Sequence, residues 1–164
     1  ALNLMRDFNI VHCVDLSKKI PNDYSDIVYS RLFGKGKHNL YQFTDSELVD
    51  VNKSALTHNP KTVALSFHGA RMHSDAARFK GYQLTGKFMQ VTLDTGVNSA
   101  RAVLAEDATF PASKAQLIDQ QGWKVIDITA NQRVHLSQLL NKIPDRTYSS
   151  ITDIVNALEP TIHE

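Results

Sequence analysis

The chain has 164 residues, 42% of them hydrophobic, which is enough for one substantial core or for a smaller core with an appended module. No apolar stretch approaches the roughly 20 residues that span a bilayer, and the amino terminus lacks the basic-then-apolar order of a signal peptide; a globular, cytoplasmic protein with no membrane partner is expected. The net charge of +1 conceals an asymmetry: residues 1–92 carry 12 Lys and Arg against 8 Asp and Glu, whereas residues 93–164 carry 6 against 9, so an anionic ligand would meet the first segment.

Residues 1–7 read as the end of a helix. Strands are predicted over residues 9–14, 26–32 and 62–67 around short apolar runs, the first continuous rather than alternating, as expected of strands buried on both faces of a parallel sheet. Residues 16–25, with Pro21-Asn22-Asp23, are too polar and broken for a crossover helix. Thr44 is a credible N-cap with Glu47 completing a capping box, and Leu48, Val51 and Leu56 give the following helix an apolar stripe that Asn59-Pro60 closes. After the third strand a helix places Met72, Ala76 and Phe79 on one face and ends at Gly81. Strand, helix, strand, helix is the order of right-handed βαβ units.

Beyond Gly86 the rhythm changes. Residues 87–93 suit a strand, and a helix follows Gly96 through Leu104 with Asn98 or Ser99 as its cap. Pro111-Ala112-Ser113 starts a helix that Gly122 stops, residues 123–128 alternate like a half-exposed strand, and helices over 134–142 and 149–158 close the chain. The change of rhythm between residues 86 and 98 divides the chain into a half-barrel-like α/β segment, residues 1–92, and a small mainly α module, residues 93–164.

Each strand of the first segment ends in chemically capable residues. Arg31 ends an apolar run, where burial of an idle guanidinium would cost too much; its fork suits a carboxylate or phosphate, with an ion pair to Asp15 as the structural alternative. Gly34-Lys35-Gly36-Lys37-His38 offers backbone amides and two ammonium groups for an anion, without the spacing of a Walker or dinucleotide motif. His12, Asp15 and His68 are the candidate acid–base residues, and with His73 they could ligate a divalent metal of unknown identity. Arg71 adds a further cation beside His68. The lone Cys13 lies in an apolar run and reads as a small core residue. Trp123 is expected to fill the seam between the modules, Arg133 and His135 to lie on a helix surface, and Tyr148 to serve packing.

His12-Cys13-Val14-Asp15, Tyr29-Ser30-Arg31-Leu32-Phe33-Gly34, Tyr41 with Thr44-Asp45-Ser46-Glu47-Leu48, and Phe67 followed by Met72, Asp75-Ala76 and Phe79 together resemble the carboxyl-terminal half of the YecE-like family, domain of unknown function seventy-two. The resemblance implies a TIM-barrel-like fold with these positions at the carboxyl ends of late barrel strands. His68-Gly69 stand where that family usually has asparagines. Three or four strands cannot close an eight-stranded barrel, so partial TIM-barrel-like βα units are expected, either open or completed by a partner chain or a second copy. Residues 110–158 are similar to a small helical domain of archaeal and bacterial proteins, carried by Phe110-Pro111-Ala112-Ser113-Lys114, Leu139-Leu140, Ile143-Pro144-Asp145-Arg146, Tyr148 and Ile154-Val155; this likeness implies no chemistry.

The function expected from these residues is binding of, or acid–base or hydrolytic chemistry on, an anionic small molecule or phosphodiester at the strand ends. Arg31, Lys35, Lys37, His38 and Arg71 would hold the anion while His12, Asp15 and His68 act on it. The alternative is a non-catalytic subunit that completes a split barrel. Nucleic-acid binding is disfavoured by the near-zero net charge and the lack of an aromatic-basic platform.

Overall fold

The computed structural model describes residues 2–21 and 25–162. The chain divides into two compact units, Ala1–Ala76 and Ala77–Glu164. This division falls earlier than residue 92, and the contacts of the second unit show why. Tyr82 stacks on Phe88 at 4.4 Å, the Arg78 guanidinium lies 5.9 Å over the same ring, and Asp127 accepts the backbone N–H groups of Val91 and Thr92. Residues 77–92 are thereby tied to the carboxyl-terminal half of the chain.

The first unit contains helix α1 (Leu2–Asp7), strand β1 (Ile27–Leu32), helix α2 (Asp45–Leu56), strand β2 (Thr62–Phe67) and the start of α3 (Met72–Thr85). The two strands pair in parallel, with Ile27 opposite Thr62 and Leu32 opposite Phe67. The strand expected over 9–14 contracts to one parallel bridge, Val14 to Ser30. Ile10 is 52% exposed and Asn9 has φ of 52°, so the run lacks the second covering layer that a continuously apolar strand requires. Where the ladder stops, the buried Ser30 hydroxyl takes over, donating to the Val14 carbonyl (2.7 Å) and accepting from Leu16 N–H (3.1 Å). Asn22 and Asp23 lie outside the described residues.

Among the described residues the parallel sheet consists of β1, β2 and that bridge; the architecture is mixed α/β with small sheets, and no barrel is formed. β1 departs from the continuously buried pattern: Ser30 and Leu32 are buried, whereas Ile27, Tyr29 and Arg31 are exposed. One face of the sheet is covered and the other is open.

Helix α2 starts as its sequence dictates. Thr44 accepts from Glu47 N–H, and the Glu47 carboxylate accepts from Thr44 N–H at 3.0 Å, a complete capping box. Its buried stripe is Leu48, Val51 and Ala55, while the expected Leu56 is exposed. Helix α3 runs through Gly81 and stops at Gly86, whose φ of 74° and N–H bond to the Tyr82 carbonyl turn the chain. Met72 is exposed rather than on a buried face, and Asp75 is buried, accepting from Phe43 N–H at 3.1 Å.

The second unit holds the rest of α3, then α4 (Val97–Ala105), β3 (Ala112–Ser113), α5 (Lys114–Gln121), β4 (Val125–Thr129), β5 (Gln132–His135), α6 (Leu136–Leu140), β6 (Thr147–Tyr148) and α7 (Ile151–Leu158). Antiparallel pairs β4–β5 and β3–β6 stitch the helices together around a core that includes Leu104, Leu117, Ile126, Leu136, Leu140 and Ile154. Ser113 and Gln116 form a second capping box. Residues 87–93 form no strand, and α4 is capped by Gly96 rather than by Asn98 or Ser99. The Ser99 hydroxyl instead accepts from Asp127 N–H (2.9 Å) and from Thr92 (2.8 Å). β4 is buried over Val125, Ile126 and Asp127 rather than alternating, and a hairpin through Ala130 and Asn131 replaces the start of the expected helix. Arg133 is accordingly not a surface residue: it is buried, with Nε 2.8 Å from Asp127 Oδ1. Tyr148 is buried and donates to the Pro144 carbonyl at 2.8 Å. Trp123 donates to the Gln120 carbonyl at 2.9 Å. Among the described residues no helix is long and apolar enough to cross a membrane.

Candidate functional site

The parallel register sorts the candidate residues by face. Opposed residues of parallel strands point the same way, so Ile27 with Thr62, Tyr29 with Ala64 and Arg31 with Ser66 share the open face. The Val14–Ser30 bridge extends two of these rows, placing Cys13 level with Tyr29 and Asp15 level with Arg31. Phe33 and His68 follow at the same alternation. Cys13 is exposed and is no core residue.

Arg31 sits on this open face and is exposed, so the desolvation argument for its importance does not hold. Its partner is His68 rather than Asp15. Arg31 Nε donates to His68 Nε2 at 3.2 Å, and Ser66 Oγ lies 3.3 Å from the same nitrogen. Nε2 therefore serves as an acceptor and the ring proton belongs on Nδ1. The His68 ring stacks on Phe33 with centroids 4.5 Å apart and planes at 16°, the Arg31 guanidinium is 5.3 Å from the Phe33 centroid, and His38 lies 5.8 Å from Phe33 with planes at 24°. Cation, phenyl ring and imidazoles hold one another on the sheet.

Asp15 is occupied as scaffold. One oxygen accepts from Ser17 N–H (3.0 Å) and Ser17 Oγ (2.6 Å), the other from Phe33 N–H (3.0 Å), and Lys18 Nζ approaches to 3.8 Å. It fixes the backbone of Phe33 rather than standing ready as a base. His12 falls elsewhere. It lines a small cavity with Pro21, Ser25 and Val28, and its level on the sheet is about five strand residues, ~16 Å, from that of His68. His73 is exposed on α3, and Arg71 precedes that helix, where its carbonyl accepts Asp75 N–H. The structure thus brings Arg31, His68 and His38 together around Phe33 and leaves His12 and His73 apart. Among the described residues no group of three His, Cys, Asp or Glu side chains is arranged to hold a metal ion.

The loop after β1 is built around Tyr41. A Cβ on Gly34, whose φ is 74°, would lie 2.0 Å from Tyr41 Cδ1, and one on Gly36 would lie 2.8 Å from Cδ2. These glycines are present because the backbone wraps a phenol ring. The Tyr41 hydroxyl donates to Glu47, and Lys35 Nζ is 3.4 Å from the same Glu47 oxygen. Burial, reinforced by the hydrogen bond to Glu47, holds the Tyr41 hydroxyl far above the usual phenol range, so it is a neutral donor. The capping glutamate of α2 thus fastens the loop, and Lys35 is spent in that fastening. At the other end Leu40 N–H bonds the Lys37 carbonyl across a turn with Asn39 at φ 63°, and Ala70 N–H bonds the Asn39 carbonyl at 3.0 Å. The loop is fixed before any ligand arrives.

Between this loop and the turn after Asp15 lies a cleft of about 330 Å³, lined by Lys18, Phe33, Gly34, Gly36, Lys37 and His38. Among the described residues no carboxylate lines it. Lys37 and His38 belong to the expected anion-holding set; Lys18 and Phe33 do not. Alternation from Arg31 was the signal for Phe33, two residues on and hence on the same face, whereas nothing local marked Lys18. The arrangement can hold negative charge and stack a planar group, but it sets no nucleophile beside a base. No family model, curated protein or solved structure matches the chain.

Proposed function

We propose that the first unit binds an anionic small molecule, bearing phosphate or carboxylate, in the cleft beside the carboxyl ends of β1 and β2. The observation that carries this is a partly aromatic cleft whose charged lining side chains, among the described residues, are the cations of Lys18, half-exposed at 3.8 Å from Asp15, and Lys37. Arg31, held by His68 and Phe33 next to the cleft, supplies a pre-positioned guanidinium. Binding is favoured over hydrolysis because Asp15 is bonded to the backbone and His12 stands at another level of the sheet. The likeness to YecE-like proteins, with barrel closure by other strands, belongs to this proposal.

The test is calorimetric titration of inorganic phosphate into the wild type and a Lys18→Met, Lys37→Met double variant. Binding that weakens with salt and falls about tenfold or more in the double variant is expected. Equal binding by both proteins, or none by the wild type, would overturn the proposal.

One observation favours a second reading, an interaction subunit. Thr62 N–H bonds the Asp26 carbonyl and His68 N–H the Leu32 carbonyl, so alternation turns the backbone groups of Val63, Leu65 and Phe67 toward the far edge of β2, where no strand pairs among the described residues. β2 carries neither charge nor proline to discourage pairing, and the adjoining face exposes Ile27 and Tyr29. On this reading a complementing chain adds a strand there. Light scattering of the wild type against Ala64→Lys, a substitution on the exposed face of β2, tests it: a larger species dissociated by the substitution is expected, and a monomer throughout would dismiss it.

A further inference from the structure

Three rings meet beside the cleft in nearly parallel planes. His68 and Phe33 are 16° apart, His38 and Phe33 are 24° apart, and Phe33 and His38 themselves line the cleft. A site for inorganic phosphate or a short carboxylate needs none of this. Cations and backbone amides suffice for such ions, and about 330 Å³ reaches the lower end of small-molecule sites, at ~300 Å³. His38 is exposed, so a plane parallel to these rings is open to a ligand. Arg31 holds the His68 ring, while Asp15 and the Lys37–Leu40 turn hold the backbone from which Phe33 and His38 project.

From this geometry we infer that the ligand of the cleft is an aromatic phosphate of the mononucleotide class, its base stacked parallel to Phe33 and His38 and its phosphate between Lys18 and Lys37. The inference rests on the anion-binding reading and narrows it. Stacking on an aromatic platform tolerates any base, because every base presents a π-face, so the platform selects for a base without choosing among bases. The two lysines select for the charge. Neither element alone distinguishes a mononucleotide from a sugar phosphate or a nucleoside; their adjacency does.

The experiment compares AMP, adenosine, ribose 5-phosphate and inorganic phosphate by calorimetry on the wild type and on His38→Ala, whose exposed ring can be removed without disturbing a core. AMP is expected to bind about tenfold or more tightly than either ribose 5-phosphate or adenosine. His38→Ala should weaken AMP several-fold more than it weakens ribose 5-phosphate. Equal affinity for AMP and ribose 5-phosphate, or an equal effect of His38→Ala on both, would overturn the inference while leaving the anion site standing. Binding of none of the phosphates would remove both.

Discussion

At Gly34 a single methyl group separates a folded loop from a clash. An alanine there would have to adopt φ of 74° and put its Cβ 2.0 Å from the Tyr41 ring. The left-handed backbone costs ~1–2 kcal/mol and the overlap ~1–3 kcal/mol, so Gly34→Ala should lower stability by about 2–5 kcal/mol in denaturant unfolding. An unchanged midpoint would mean that the loop does not wrap Tyr41. The Gly-Lys pattern was legible in the sequence as a turn, but its cause was not, because Tyr41 and Glu47 meet the loop from positions that only the fold brings near. Arg31 shows the reverse. Its residue type pointed to an anion from the sequence, but its environment is an open sheet face with His68 as partner, because the face expected to be buried has no layer over it.

At the level of elements, caps were the most legible features. Thr44 with Glu47 could be read directly, since a capping box depends only on neighbours within one turn. Helix α7 is anchored in a related way. Asp153 accepts from Arg146 through both oxygens, at 2.6 and 3.0 Å, and from Ser149 N–H at 2.9 Å, while Ser150 caps its N–H. The Arg146 pair first, and then the Ser149 N–H, hold the Asp153 carboxyl well below the usual carboxylate range. A depressed carboxyl binds fewer protons folded than unfolded. Its contribution to stability is complete above the unfolded value, about 3.9, and is lost as pH falls through the folded one. The difference in melting temperature between wild type and Asp153→Asn should therefore be constant from pH 7 to about pH 5 and shrink below pH 4. A difference independent of pH would contradict this. Strand burial was the least legible feature: β1 looked like a doubly buried strand and is open on one side, whereas β4 alternates in sequence and is buried. Whether a face is covered depends on residues far along the chain.

The whole molecule consists of two units that differ in how they are held. The second has an apolar core with Leu136, Leu140 and Ile154 fully buried, and the buried Asp127–Arg133 pair beside it. The first has a two-stranded sheet with an open face and carries the candidate site. Leu140→Ala should cost about 2–5 kcal/mol of stability in the second unit while leaving the affinity of the first unit for phosphate unchanged at temperatures where the variant is folded. Loss of both together would show that the cleft depends on the second unit's core. The sequence by itself determined the helices of both units, strands β1 and β2 almost to the residue, the α2 capping box, and the concentration of cations in the first half, because each follows from residues a few positions apart. Only the tertiary structure decided that the division falls within α3, that Asp15 and Lys35 are spent on scaffold, that His12 stands apart from His68, and that Lys18, Phe33 and His38 share a cleft. Those outcomes depend on register, burial and the packing of distant side chains, which no local pattern encodes.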